Sequence, residues 1–107
     1  MKYKVYIITE AEDDLLEIFQ YVANHDSPAK ADKLLLKLED ACLSMADLPN
    51  RGHVPPELER VAVLDYFEIH YKPYRIIYQI SSNKVYIHCV LDGRRDLQEL
   101  LRIRLLR

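Results

Sequence analysis

The chain has 107 residues, room for one folding domain and one hydrophobic core. Half of the residues are apolar and 30% are charged, which is globular composition and not that of a disordered tail. Its 2 glycines exclude glycine-rich phosphate loops and dinucleotide-binding turns, and a net charge of −2 argues against a general polyanion binder.

Residues 3–9 are β-branched and aromatic and read as a strand. Thr9 and Glu12 have the spacing of a capping box, and Ala11, Leu15, Ile18, Phe19 and Val22 then recur at helical intervals, predicting a helix over 11–24. Asn24-His25-Asp26 breaks it. Ser27 followed by Pro28 is an N-cap with proline at the first helical position, opening a second helix over 28–47. Its apolar face carries Leu34, Leu35, Leu38, Ala41, Cys42 and Met45, so the two helices form an antiparallel hairpin. Pro49, Gly52, Pro55 and Pro56 mark a loop, and 57–65 reads as either loop or short strand. Residues 66–71, 74–80 and 84–91 read as three strands, the last two joined through Ser81-Ser82-Asn83. Asp96 and Glu99 repeat the capping-box spacing before a helix over 97–106. The order β-α-α-β-β-β-α over 1–107 predicts a single α+β domain: a helical hairpin on a mostly antiparallel four-stranded sheet, with a short C-terminal helix.

Charge is unevenly spread. Residues 1–50 carry 5 Lys against 10 Asp and Glu, whereas 51–107 carry 2 Lys and 8 Arg against 7 acidic residues. Every arginine lies in that second part, 5 of them within 93–107. No apolar run approaches the ~20 residues that span a bilayer, and the basic start meets Glu10, Glu12, Asp13 and Asp14 with no signal-peptide core. A cytoplasmic protein without membrane contact is the expectation. Cys42 and Cys89 sit among apolar neighbours and read as buried thiols. His25, His53, His70 and His88 lack zinc-motif spacing, so neither a metal nor another cofactor is expected.

Strand alternation sorts the candidate chemistry. With Phe67, Ile69 and Tyr71, and likewise Val85, Ile87, Cys89 and Leu91, turned to the helices, the opposite face collects Glu68, His70, Arg75, Tyr86 and His88. Histidine and glutamate are proton-transfer groups and arginine is a phosphate or oxyanion partner, although mixed polar residues are also ordinary on an exposed sheet face. A second group is Arg94-Arg95-Asp96, where guanidinium forks suit phosphate or carboxylate and Asp96 suits a helix cap.

Four fragments in order resemble the RelE/ParE superfamily of bacterial type II toxins: Ala11-x-x-Asp14-Leu15-x-x-Ile18-x-x-Tyr21, Leu48-Pro49-x-x-Gly52, Tyr74-Arg75-Ile76-Ile77-Tyr78 and Gly93-Arg94-Arg95-Asp96. The resemblance implies a growth-inhibiting toxin, with plasmid stabilisation among its uses, neutralised by a cognate antitoxin that itself binds operator DNA. It leaves the target open. RelE-like members are ribosome-dependent endoribonucleases that cut messenger RNA, and ParE-like members poison DNA gyrase without being nucleases. Arg75 matches the superfamily's strand arginine, which contacts the scissile phosphate in the nucleases. Glu68, His70, Tyr86 and His88 are catalytic candidates only in that branch. Ribosome-dependent members are typically basic and place a tyrosine near the C-terminus. This chain is mildly acidic, and residues 93–107 contain no Tyr, His or Lys. Both departures favour gyrase, with Arg94 and Arg95 as target-binding residues and Leu97, Leu101 and Leu105 as candidates for antitoxin contact. The third reading is a non-toxic module that only binds antitoxin.

Overall fold

A computed structural model of the chain describes residues 2–106. Strand β1 (Lys4–Ile7) leads into helices α1 (Thr9–His25) and α2 (Pro28–Leu43). After two 3₁₀ turns, Ser44–Ala46 and Pro49–Arg51, comes a single helical turn, α3 (Pro56–Glu59). Strands β2 (Phe67–Tyr71), β3 (Tyr74–Ser81) and β4 (Lys84–Asp92) and helix α4 (Gln98–Leu105) complete the chain. The α+β architecture and the four-stranded sheet are those expected from the sequence. In the sheet the order is β1-β4-β3-β2, with β1 parallel to β4 and the other pairs antiparallel.

Local chemistry accounts for most boundaries. Ser27 Oγ accepts from the Lys30 N–H at 3.1 Å with Pro28 at the first helical position, as the sequence predicts. The Thr9/Glu12 capping box does not form: Thr9 already lies in the first turn, and the Glu12 N–H donates to Ile8 O at 2.9 Å. Asp96 is not the N-cap of the last helix, a position that Leu97 takes without a side-chain cap; its Oδ1 accepts from the Gln98 N–H at 3.1 Å in an Asx turn just ahead of the helix, and Glu99 turns away and pairs with Arg102. The ambiguous segment 57–65 is neither strand nor plain loop. Pro55 and Pro56 preset the backbone for α3, whose end closes as a Schellman motif with Val63 N donating to Leu58 O and Ala62 N to Glu59 O. Ala62 holds the left-handed position at φ 60° that glycine usually takes.

Two apolar layers use opposite faces of the sheet. On one face Ile69, Ile76, Tyr78, Val85, Ile87 and Val90 pack against Ala11 and Leu15 of α1 and Leu38 and Cys42 of α2. On the other, Ile77, Cys89 and Leu91 meet Leu58 of α3, Leu97 just before α4 and Leu101 within it. A β-bulge makes this possible. Ile77 pairs with Cys89 but Tyr78 pairs with Ile87, so His88 is the extra residue. Strict alternation assigns Cys89 and Leu91 to the hairpin face and Val90 to the polar one. The bulge exchanges them, and the second face is a covered core at one end instead of an open polar surface.

The bulge lies where β1 runs out. Ile7, opposite Ile87, is the last residue of β1 to pair, so β4 beyond it lacks a strand neighbour on that side. Side chains supply the missing partners. Asp14 Oδ2 accepts from the Val90 N–H at 3.0 Å, and Arg104 Nη2 donates to the His88 carbonyl at 2.9 Å. Asp14 and Arg104 also bind each other in a two-pronged pair, both contacts at 3.0 Å, joining α1, β4 and α4 at one point.

Candidate functional site

On the second face, outside the part that α4 covers, β2 and β3 bring Glu68, His70 and Arg75 together. Arg75 stands across the ladder from His70, with Glu68 two residues earlier on the same side of β2. Its Nε donates to Glu68 Oε1 at 2.6 Å, while Nη1 and Nη2 donate to the two oxygens of Glu57 at 2.7 Å each. Arg75 is 12% exposed and Glu68 1%. Hydrogen bonds from Arg75 hold the Glu57 carboxyl below its ordinary range, and the two carboxylates in turn make the guanidinium harder to deprotonate. The arginine is closed between two carboxylates.

Two members of this cluster come from outside the strands, where alternation cannot address them. Glu57 belongs to α3; proline at that helix's first position, with an acidic residue after it, is the signal that would have found it. His53 follows Gly52 of the Leu48-Pro49-x-x-Gly52 fragment. It forms a two-way backbone bridge with Glu68, N to O at 3.2 Å and O from N at 2.7 Å, and its Nε2 lies 3.0 Å from Glu68 Oε2. Gly52 permits this approach, because a Cβ there would meet Tyr78 Oη and, at 2.7 Å, Glu68 O. Tyr78 Oη donates to Pro49 O at 2.7 Å, fastening the same loop to β3.

Tyr86 and His88 share this face but not this cluster. Tyr86 stacks on Tyr6 with ring centres 5.5 Å apart. His88 meets the edge of Tyr66 at 5.3 Å, its Nε2 buried without a hydrogen-bond partner among the described residues. Burial holds its imidazole below the ordinary histidine value of 6.5. Both thiols are buried as expected, and burial pushes Cys42 and Cys89 up to about 12.

Arg94 lines a small cavity together with His70 and Arg75, and both it and Arg95 are exposed. They edge a cleft of about 420 Å³ between α1 and the end of β4, with Tyr21 and Tyr74 in its wall. Arg94 makes a surface pair with Asp92 at 2.7 Å. Gly93 keeps the turn close to the node already described: a Cβ there would press on the Arg75 stem at 2.9 Å and on Pro73 O at 3.0 Å. Leu97, at the N-cap of α4, and Leu101 within it point inward and are fully buried, and Leu105 is half-buried. Surface apolar groups of that helix end are Ile103 and Leu106.

Among the described residues no helix is long and apolar enough to cross a membrane. In structure the chain is similar to one from the chromosomal ParDE toxin–antitoxin system of P. aeruginosa, with TM-score 0.72 and 15% identity, covering 85% of this chain and 96% of that one. It is also similar to a chain of the toxin–antitoxin complex RelBE2 from Mycobacterium tuberculosis, with TM-score 0.65 and 20% identity, covering 86% and 92%. At these identities both likenesses concern the fold. No curated protein sequence matches the chain. A family model described as the ParE toxin of the type II toxin–antitoxin system, parDE, matches residues 5–97, a span that holds the strands, the hairpin and the Gly-Arg-Arg-Asp turn. The chain therefore belongs to the ParE toxin family of type II toxin–antitoxin systems.

Proposed function

We propose that this chain arrests growth by acting on DNA gyrase in the cytoplasm, without nuclease chemistry, and that a cognate antitoxin holds it inactive. The observation that carries the reading is the contrast between its arginines. Arg75, the position a nuclease would use on a scissile phosphate, spends three donors on Glu57 and Glu68. A phosphate approaching it would have to displace a carboxylate and lie beside another, at a cost in like-charge repulsion. Arg95 faces solvent beside a cleft walled by tyrosines with its guanidinium unpaired among the described residues, and Arg94 next to it holds only Asp92, at the surface, where a macromolecular partner can compete for it. Antitoxin contact on α4 falls to Leu105, Ile103 and Leu106, since Leu97 and Leu101 are inside.

Pulse-labelling after induction in a bacterial host tests the proposal. Thymidine incorporation is expected to fall within minutes while methionine incorporation holds, and Arg94→Ala with Arg95→Ala is expected to relieve the arrest at an unchanged melting temperature. An early fall in methionine incorporation would instead support a ribosome-dependent endoribonuclease. Absence of any arrest would leave a non-toxic antitoxin-binding module.

A further inference from the structure

We infer that His53, Glu68 and His70 form a solvent-open binding site for one divalent ion of the zinc class. His53 Nε2 lies 3.0 Å and His70 Nε2 3.6 Å from the same oxygen, Glu68 Oε2, and the three atoms all fall within 4.8 Å of one another. Zinc takes imidazole nitrogen and carboxylate oxygen at ~2.0–2.2 Å, and tetrahedral angles then set ligand atoms roughly 3.3 Å apart. The two observed spacings bracket that value. Two imidazoles and a carboxylate with an open fourth position are a zinc donor set, whereas calcium and magnesium prefer oxygen ligands throughout.

Sequence spacing hides this site because its members come from a loop and a strand, 15 residues separating His53 from Glu68. Their positions are nevertheless fixed. Glu68 is 1% exposed, and Arg75 Nε holds its other oxygen at 2.6 Å, the outer-shell contact that orients a ligating carboxylate. The backbone bridge pins His53 to Glu68, and strand alternation places His70 on the same side of β2. The two imidazoles meet at 70° with centres 5.5 Å apart. His70 Nε2, at 3.6 Å from Glu68 Oε2, is too far away for a hydrogen bond to that oxygen. Arg75 balances only one of Glu57 and Glu68, so with neutral histidines the cluster keeps one negative charge to attract a cation. The histidine side chains are 61% and 45% exposed, which leaves an entry path.

This inference is independent of the toxin's target. The test is calorimetric titration of the metal-free full chain with zinc chloride, alongside cobalt(II) titration read by visible absorption. Expected are one zinc ion per chain at micromolar affinity or tighter, and weak cobalt bands without a thiolate charge-transfer band. His70→Ala is expected to weaken zinc binding at least ~10-fold, the lower end of the loss on removing a metal-site contact. His25→Ala, at an exposed histidine stacked on Tyr21, should leave it unchanged. Absence of zinc binding, a thiolate band, or equal affinity in the His70→Ala variant would each overturn the site.

Discussion

Arg75 is held by carboxylates on two sides, and its first role is to make Glu68 tolerable inside the protein. Removing one partner of a buried ion pair leaves a charge without compensation, which costs roughly 3–5 kcal/mol. Arg75→Ala is therefore expected to lower the unfolding free energy obtained from urea titration by an amount of that order. Glu57→Gln should cost less, because the buried Glu68 keeps its cation. Equal, small losses in the two variants would refute this ranking. Much of the node was legible: alternation placed Glu68, His70 and Arg75 on one face. Glu57 and His53 escaped because a loop and a single helical turn carry them, and those have no period to read. Tyr86 and His88 show the converse limit, since sharing a face does not bring side chains into contact.

At the level of elements, the Asp14–Arg104 pair replaces the strand partner that β4 lacks beyond Ile87. Its two residues satisfy both each other and the backbone of the bulge, so their contributions should not be independent. Asp14→Ala and Arg104→Ala are each expected to destabilise by about 3 kcal/mol, and the double variant by less than the sum, with a coupling of ~1–3 kcal/mol. Additive losses in a urea double-mutant cycle would show that the pair acts as two separate contacts. The bulge also explains which part of the sheet the sequence misplaced. One extra residue reverses alternation beyond it, and nothing in Ile87-His88-Cys89-Val90 marks the insertion. Cys89 and Leu91 are apolar whichever face they occupy. Pattern reading found the strands and hairpin because their periods run unbroken, and lost the face of a strand that changes register midway.

For the whole molecule, acid is the informative stress. Burial keeps His88 below 6.5 in the folded chain. Between that lowered value and 6.5 the unfolded chain binds a proton that the folded chain does not, so stability rises with pH across the window and is lost on acidification. Glu57 acts in the same direction at lower pH: its contribution is present above the ordinary value of 4.5 and is lost as pH falls through the lowered folded value. The urea midpoint is therefore expected to fall from pH 7.5 to pH 5. His88→Phe, which keeps an aromatic edge against Tyr66, should flatten that fall. Parallel profiles for the two proteins would contradict the assignment to His88.

Beyond its own chemistry, the contact of His53 with Glu68 changes what a second chain would meet at the sheet's outer border. β2 is the last strand on its side, 5 residues long, and free amides along such a strand would template pairing with another molecule. The loop has already taken both backbone groups of Glu68. An incoming strand finds the ladder interrupted near its start, and Pro73 caps the turn at the other end. One loop thus serves as a guard against self-association by strand exchange along this border.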